Sequence, residues 1–229
     1  VLNHRGPDGS SVWVDGPAGL GCQSMRITPE SRFDSLSPGG EDSDLKITAS
    51  ARLDNRDDLC RTFGIPSVQQ AETPDSLLIL LAYEKWNMAC PTHLEGDFAF
   101  AIWDCRQRLL FCVTDYFSVC PIYYHRSSNR VVFSSEIKGI LAVPDIPSKL
   151  NARTVAMSSV PLSNRLDETA TFFEGVYRLG KGSYILAGDH GVQIKTYWKP
   201  APSQTPLFKS DGDWLAAFRD LWFQAVRNR

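Results

Sequence analysis

The chain has 229 residues, a formal net charge of −2 and hydrophobic residues at 43% of its positions. These values are typical of a folded domain large enough to bury a core without metal ions or disulfides. The near-neutral charge gives no electrostatic basis for binding nucleic acid or an anionic membrane, and no apolar run approaches the roughly 18 residues of a spanning helix. The six cysteines include no CxxC pair, which predicts no metal site and a reduced, cytoplasmic protein.

Short strands separated by tight turns are predicted along most of the chain. The first third has strand patterns at residues 11–14, 19–27 and 45–53. Runs of β-branched and aromatic residues follow at 97–104, 109–115, 121–125, 131–134, 171–177 and 183–187. Because these runs are apolar on both faces, each strand needs cover on both sides, which predicts layers of sheets and helices.

One helix start is predicted with a clear physical reason. Thr73 can cap the helix, Pro74 suits the first helical position, and Asp75 complements the positive end of the helix dipole. Apolar residues at helical spacing extend this helix to about Asn87. Residues 135–141 predict a second, short helix.

Two further segments have distinctive compositions. Residues 29–44 are rich in Ser, Pro, Gly and Asp, which predicts a mobile loop. After a Pro-rich link at 200–206, apolar residues between Trp214 and Val226 form the stripe of an amphipathic helix. Since the chain begins with Val1 rather than Met and stops inside this helical pattern, we expect a fragment of a longer protein.

A series of motifs recurs in an order that is specific as a set. They are HRGPDG at 4–9, RLDNRDDL at 52–59, LEGDFAFAIWD at 94–104, TDYFSVCPIYY at 114–124, FSSEIKGIL at 133–141, FFEGVYRLGKGSYI at 172–185 and YW at 197–198. Across nearly its whole length, the chain thus resembles the N-terminal class II glutamine amidotransferase domain of the asparagine synthetase family. RLDNRDDL, together with TPES at 28–31, is most similar to members that cyclise lasso peptides or build β-lactams.

The resemblance implies an α+β fold of the N-terminal-nucleophile hydrolase type, a four-layer αββα sandwich of two antiparallel sheets. It implies an amidotransferase-like domain at 1–199, followed at 200–229 by a linker and the first helix of a C-terminal synthetase domain. That synthetase domain would be the partner of this one and would bind ATP and Mg²⁺ through a Ser-Gly-Gly-x-Asp-Ser loop. Because no such loop occurs in this sequence, we expect no cofactor and no metal in this chain.

Family members use a cysteine at their first position as nucleophile, with its own α-amino group as the base. That cysteine would precede Val1, so no catalytic residue is assigned in this chain. Two explanations stay open, namely that the segment is missing from the sequence or that the whole protein has no such cysteine.

The residues that would hold glutamine also differ from the family pattern. The family's Asn-Gly-Glu run, which forms the oxyanion hole and helps bind the substrate ammonium, corresponds to Ser50, Ala51 and Arg52. Loss of one oxyanion-hole donor costs about 2.7–4 kcal/mol of transition-state stabilisation, and Arg52 repels an ammonium. The arginine that would bind the carboxylate of glutamine is Ser24. Arg26, about 6–7 Å further along a strand with the same facing, is a possible substitute.

Four other positions each allow a structural and a functional interpretation. Asp75 matches the aspartate that receives the substrate ammonium, but an acid in the first turn of a helix also stabilises the dipole. His4 lies in a turn that we expect to be rigid and structural rather than catalytic. Cys22 is interpreted as a packed cysteine rather than a replacement nucleophile. Asp115 is retained, whereas the glycine expected three residues later is Ser118.

Three functions follow from these observations. The first is a glutaminase-defective, structural domain of an ATP-dependent amide-forming enzyme, such as a lasso-type cyclase that acts on a precursor peptide. The second is the domain of an ordinary glutamine-hydrolysing asparagine synthetase without its first residues. The third is a non-catalytic domain that binds a peptide or a protein.

Overall fold

The computed structural model describes residues 1–158, 167–202 and 210–227. The chain divides into two compact units, Val1–Trp198 and Lys199–Arg229. The strands, in chain order, are β1 Gly9–Asp15, β2 Ala18–Ser24, β3 Leu45–Leu53, β4 Gly96–Asp104, β5 Leu109–Thr114, β6 Tyr123–Arg126, β7 Val131–Ser134, β8 Val176–Arg178, β9 Ser183–Gly188 and β10 Gly191–Thr196.

Helices are distributed between the strands. The α-helices are α1 Arg56–Phe63, α2 Ser67–Gln70, α3 Asp75–Trp86, α4 Ile137–Leu141, α5 Ala152–Ser158 and α6 Asp211–Arg227. Short 3₁₀ helices occur at Asn3–Arg5, Glu30–Phe33 and Asn87–His93.

All strand pairs in the described part of the chain are antiparallel. The largest sheet has five strands in the order β10-β9-β5-β4-β3. The second sheet layer consists of two pieces, the β1-β2 hairpin and a three-stranded sheet in the order β7-β6-β8.

Strand β4 shows why the layers stack. Its side chains alternate, so that Phe98, Phe100 and Ile102 join the core shared with α1 and α3, whereas Ala99 and Trp103 join the core on the opposite face. Burial on both faces matches the continuous apolar pattern of this strand.

The layers follow the order helix, sheet, sheet, helix. Helices α1 and α3 cover one face of the five-stranded sheet, and Leu20 of β2 and Tyr124 of β6 cover the other. On the outside of the second layer, Ile140 of α4 packs with Val176 of β8. The predicted α+β sandwich of antiparallel sheets is therefore confirmed, with the qualification that its second layer is formed by two separate pieces.

Three local predictions require correction. Helix α3 begins at Asp75, after the capping residue Pro74, and the Thr73 hydroxyl donates back to the Gln69 carbonyl at 2.9 Å instead of capping the helix. The strand predicted at 19–27 ends at Ser24. The strand predicted at 171–177 begins only at Val176, because residues 171–175 form a turn. In this turn the Thr171 hydroxyl donates hydrogen bonds to the carbonyls of Phe173 and Val176.

Residues 29–44 contain more structure than a mobile loop. They include the 3₁₀ helix Glu30–Phe33, and the Leu36 side chain is buried in the core between the sheet layers. The Leu36 carbonyl accepts a hydrogen bond from the Ile47 N–H at 3.0 Å, which fixes this end of the segment against β3.

The second unit contains α6, which matches the predicted amphipathic helix. None of its residues is buried within the described chain. Residues 203–206 of the predicted Pro-rich link lie outside the described residues. No helix within ranges 1–158, 167–202 and 210–227 has both the length and the apolar character needed to cross a membrane.

Candidate functional site

The three residues 50–52 lie near the end of β3 but do not share one face. Ala51 is on the face that packs against α1 and α3. Ser50 and Arg52 alternate with it and lie on the face toward the second sheet layer, where both are exposed. Ser50 is hydrogen-bonded to the Cys120 thiol. The sequence therefore places a hydroxyl and a guanidinium, rather than an amide and a carboxylate, on this face.

Asp75 is held directly beside the end of this strand. Its Oδ2 accepts a hydrogen bond of 3.0 Å from the N–H of Leu53, the residue that follows Arg52. The tertiary structure thus places Asp75 at the end of β3, next to the stretch that contains residues 50–52.

Arg56, which the sequence analysis did not single out, completes the surroundings of Asp75. Its guanidinium donates to Asp75 Oδ1 and also to the Thr73 carbonyl at 2.7 Å and the Gln70 carbonyl at 3.3 Å. Glu30 lies 3.8 Å away, measured from Arg56 Nε to its Oε1. Arg56 comes immediately after the Asp54-Asn55 turn that separates β3 from α1. This position was the feature of the sequence that could have identified Arg56 as a neighbour of the site.

The ionisation of Asp75 reflects this enclosure. Only 12% of its side chain is exposed. Burial raises the pKa of the Asp75 carboxyl, although Arg56 and the Leu53 N–H act to lower it. Asp75, in the first turn of α3, accepts hydrogen bonds from β3 and α1 and so joins these three elements. The sequence analysis considered Asp75 as a ligand of the substrate ammonium or as a stabiliser of the helix dipole, and did not include this role.

Ser24 is the last residue of β2, and the HRGPDG turn packs against it. A Cβ at Gly6 would lie 2.3 Å from the Gln23 carbonyl carbon, so only glycine permits this approach. Asp8 donates its N–H to the Ser24 carbonyl at 3.1 Å and accepts from the Arg26 N–H at 2.8 Å. Since β2 has ended before Arg26, the same-facing argument for that residue does not apply, and Arg26 is exposed.

Residues 1–198 match the family described as the glutamine amidotransferase domain. The chain belongs to this family.

Curated relatives are longer proteins. The chain is 29% identical over 228 residues to glutamine-hydrolyzing asparagine synthetase 3 of Bacillus subtilis, covering 99% of this chain and 36% of that protein. It is 27% identical over 224 residues to a putative glutamine-hydrolyzing asparagine synthetase 2 of Methanocaldococcus jannaschii, covering 91% and 44%. It is also 26% identical to amidase chyE of Penicillium rubens, covering 86% and 29%. The chain therefore spans less than half the length of these relatives.

Among solved structures, the chain is similar to a glutamine aminotransferase class-II domain protein from Silicibacter pomeroyi. The TM-score is 0.44 at 12% identity, covering 82% of this chain and 90% of the other.

In this amidotransferase domain, Asp115 organises the turn after β5. It is buried and accepts hydrogen bonds from four backbone N–H groups, those of Phe98, Phe117, Val119 and Cys120. Ser118 has a φ of 54°, a conformation that favours the glycine expected there. The Arg178 guanidinium donates to its carbonyl at 2.8 Å, which holds the turn from the other side.

His4 belongs to a separate surface cluster of the amidotransferase domain. Its Nε2 lies 2.8 Å from Glu136 Oε1, and Lys138 Nζ and Arg5 Nε lie 3.2 and 3.5 Å from the same carboxylate. The hydrogen bond with His4 lowers the pKa of Glu136. These contacts join the HRGPDG turn to the segment before α4, in agreement with a structural turn.

Cys22 faces the space between the sheet layers. Burial raises the pKa of its thiol, although hydrogen bonds with Thr48 and Ser24 act to lower it. All six cysteines are free thiols. Within the part of the chain that the structure describes, no group of three or more His, Cys, Asp or Glu side chains is arranged to hold a metal ion.

Proposed function

We propose that this chain is a structural, glutaminase-defective amidotransferase domain of an ATP-dependent amide-forming enzyme. The observation that carries the proposal is the ion pair between Asp75 and Arg56, supported by the hydrogen bond between Asp75 and Leu53. An aspartate that binds the ammonium of a free amino acid needs an accessible carboxylate oxygen. Here both oxygens already accept hydrogen bonds from within the protein, and the Arg56 guanidinium balances the charge of the carboxylate, so a substrate ammonium would have to compete with these internal partners.

The neighbouring residues oppose glutamine in the same direction. Arg52 puts a cation where the family pattern has a carboxylate, which repels the substrate ammonium. Ser50 replaces the amide donor of an oxyanion hole, a change with a cost of about 2.7–4 kcal/mol in the transition state. Ser24 replaces the guanidinium that would bind the carboxylate of glutamine. In this proposal the domain keeps its fold, but its pocket has lost the side chains that would contact glutamine.

The amide-forming chemistry belongs, in this proposal, to a separate C-terminal synthetase domain. The chain covers only 36% and 44% of two relatives named as asparagine synthetases, so those proteins are long enough to contain a further domain. ATP and Mg²⁺ would bind there, because this sequence contains no Ser-Gly-Gly-x-Asp-Ser loop for the phosphates. We infer further that the enzyme acts in the cytoplasm and closes a macrolactam within a precursor peptide. A reaction that uses an internal amine needs no ammonia, which accounts for the altered pocket.

The second candidate is a glutamine-hydrolysing asparagine synthetase domain. It is favoured by the names of two relatives, which describe asparagine synthetases that hydrolyse glutamine. In that case Arg56 would have to leave Asp75 whenever glutamine binds.

The two candidates are separated by assays on the full-length protein. We expect no release of glutamate from glutamine, and formation of AMP and pyrophosphate only when a precursor peptide is present. Glutamate release, together with ATP turnover on aspartate and ammonia, would establish the second candidate instead. An alanine variant of any cysteine found at the first position serves as the control for residual glutaminase.

A further inference from the structure

The Arg56 guanidinium occupies a recess whose polar groups come from two separate segments. Residues 70–75 contribute the carbonyls of Gln70 and Thr73 and the carboxylate of Asp75, and a 3₁₀ helix distant in sequence contributes Glu30. Each of the three guanidinium nitrogens has an acceptor or an anion beside it. Such a set matches the planar, forked geometry of a guanidinium better than the single point of an ammonium.

The recess is partly shielded from water. The exposed fractions are 21% for the Arg56 side chain, 18% for Glu30 and 12% for Asp75. Two carboxylates and two carbonyl dipoles therefore surround one cation in a region of reduced solvent screening. With the Arg56 side chain removed, these acceptors would face each other with no counter-charge.

We propose that this recess is a guanidinium-binding site and that Arg56 is its internal ligand, closing it to the ammonium group of free amino acids. This view rests on the proposed function, since it explains how a domain keeps Asp75 without binding glutamine. The ligand class that fits when Arg56 is absent is a small guanidinium, and a primary ammonium fits less well because it reaches fewer acceptors at once.

Chemical rescue tests the site. In the full chain, Arg56→Ala is expected to lower Tm by about 6–12 °C, because removing one partner of a shielded ion pair leaves the other without a counter-charge. Guanidinium chloride at low, non-denaturing concentration should then raise the Tm of this variant with saturation. Methylammonium chloride should give a smaller rise, and sodium chloride at the same ionic strength should give none.

Arg61→Ala is the matched control, because Arg61 lies on the same helix and pairs with Asp58, with 74% of its side chain exposed. Guanidinium should not raise its Tm or that of the unmodified chain. The double variant Arg56→Ala/Asp75→Asn should lose the rescue. Equal responses of Arg56→Ala and Arg61→Ala would overturn the proposal, as would an Arg56→Ala protein that stays unfolded with guanidinium present.

Arg56→Lys supplies a second variant that keeps the charge and the aliphatic stem. We expect a Tm between those of the unmodified chain and Arg56→Ala. A Tm equal to that of the unmodified chain would mean that the recess recognises charge alone, which contradicts a guanidinium site. The outcome is independent of the glutaminase assay, because rescue of Tm does not require that glutamine be bound or hydrolysed.

Discussion

The backbone of Gly96 lies against the carbonyl oxygen of Arg52, so closely that a Cβ at Gly96 would approach this oxygen to 2.1 Å. Gly96 also has a φ of +132° and is paired with Leu53 across β3 and β4. Gly96, the glycine of the LEGDF motif, therefore allows β4 to approach β3 closely at the end of β3, next to Asp75.

Gly96→Ala is expected to destabilise the fold by at least about 3 kcal/mol, because backbone strain adds to a clash with main-chain atoms. Urea denaturation measures the effect. Gly191→Ala is the control, since Gly191 has a φ of +94° but a Cβ added there would meet no atom within 4 Å, and it should cost only about 1–3 kcal/mol. Equal losses in the two variants would contradict the close approach.

The raised pKa of Asp75 predicts an unusual pH dependence. A carboxyl whose pKa is higher in the folded state holds its proton more tightly there, so its contribution to stability is complete below the unfolded pKa of about 3.9 and declines as pH rises. The loss of unfolding free energy caused by Asp75→Asn should therefore be larger at about pH 4 than at pH 7. A loss caused by Asp75→Asn that grows with pH would refute the prediction.

Asp115 should be indispensable for the turn after β5. Asp115→Asn replaces one of two acceptor oxygens with an amide donor, which would face backbone N–H groups that now donate to the carboxylate. Leaving two buried donors without acceptors costs roughly 2–6 kcal/mol. Chemical denaturation measures the loss of unfolding free energy in Asp115→Asn and in Asp44→Asn, which changes an exposed aspartate and serves as the control. One ordinary hydrogen bond contributes about 1 kcal/mol. A loss below this value in Asp115→Asn would argue against the role of Asp115 in the turn.

Cys22 should behave as a packed thiol. Because burial raises its pKa from 9.0, its alkylation by iodoacetamide should accelerate only above about pH 9. Rates for each cysteine are obtained by mass spectrometry of peptides. A midpoint at or below about pH 8 would identify an activated thiolate and reopen the interpretation as a nucleophile.

Local patterns predicted much of the sheet. Strands β3 and β7 have the bounds predicted at 45–53 and 131–134, and β4 begins one residue earlier than predicted. Helix α1 was not predicted, although Gly64, with a φ of 68°, ends it as a left-handed C-terminal glycine commonly does. Strand β10 was also missed, although Val192 and Ile194 alternate with the polar residues Gln193 and Lys195 as in a strand that is exposed on one face.

Of the candidate site, the sequence determined which chemical groups are available. The sequence has a hydroxyl, a methyl and a guanidinium at 50–52, a serine at 24 and a carboxylate at 75. The order of the motifs was enough to assign these positions to the candidate site. The apolar pattern also predicted layers of sheets and helices, because strands that are apolar on both faces require cover on both sides, whereas the α+β sandwich was expected from the family resemblance.

Only the tertiary structure decided what Asp75 does. Its partners Leu53 and Arg56 lie 22 and 19 residues away, and Glu30 joins them from an earlier segment. No periodicity links such positions, because their contacts arise from the stacking of β3, α1 and α3 around one core. The pairing of the Asp75 carboxylate with Arg56 depends on that stacking.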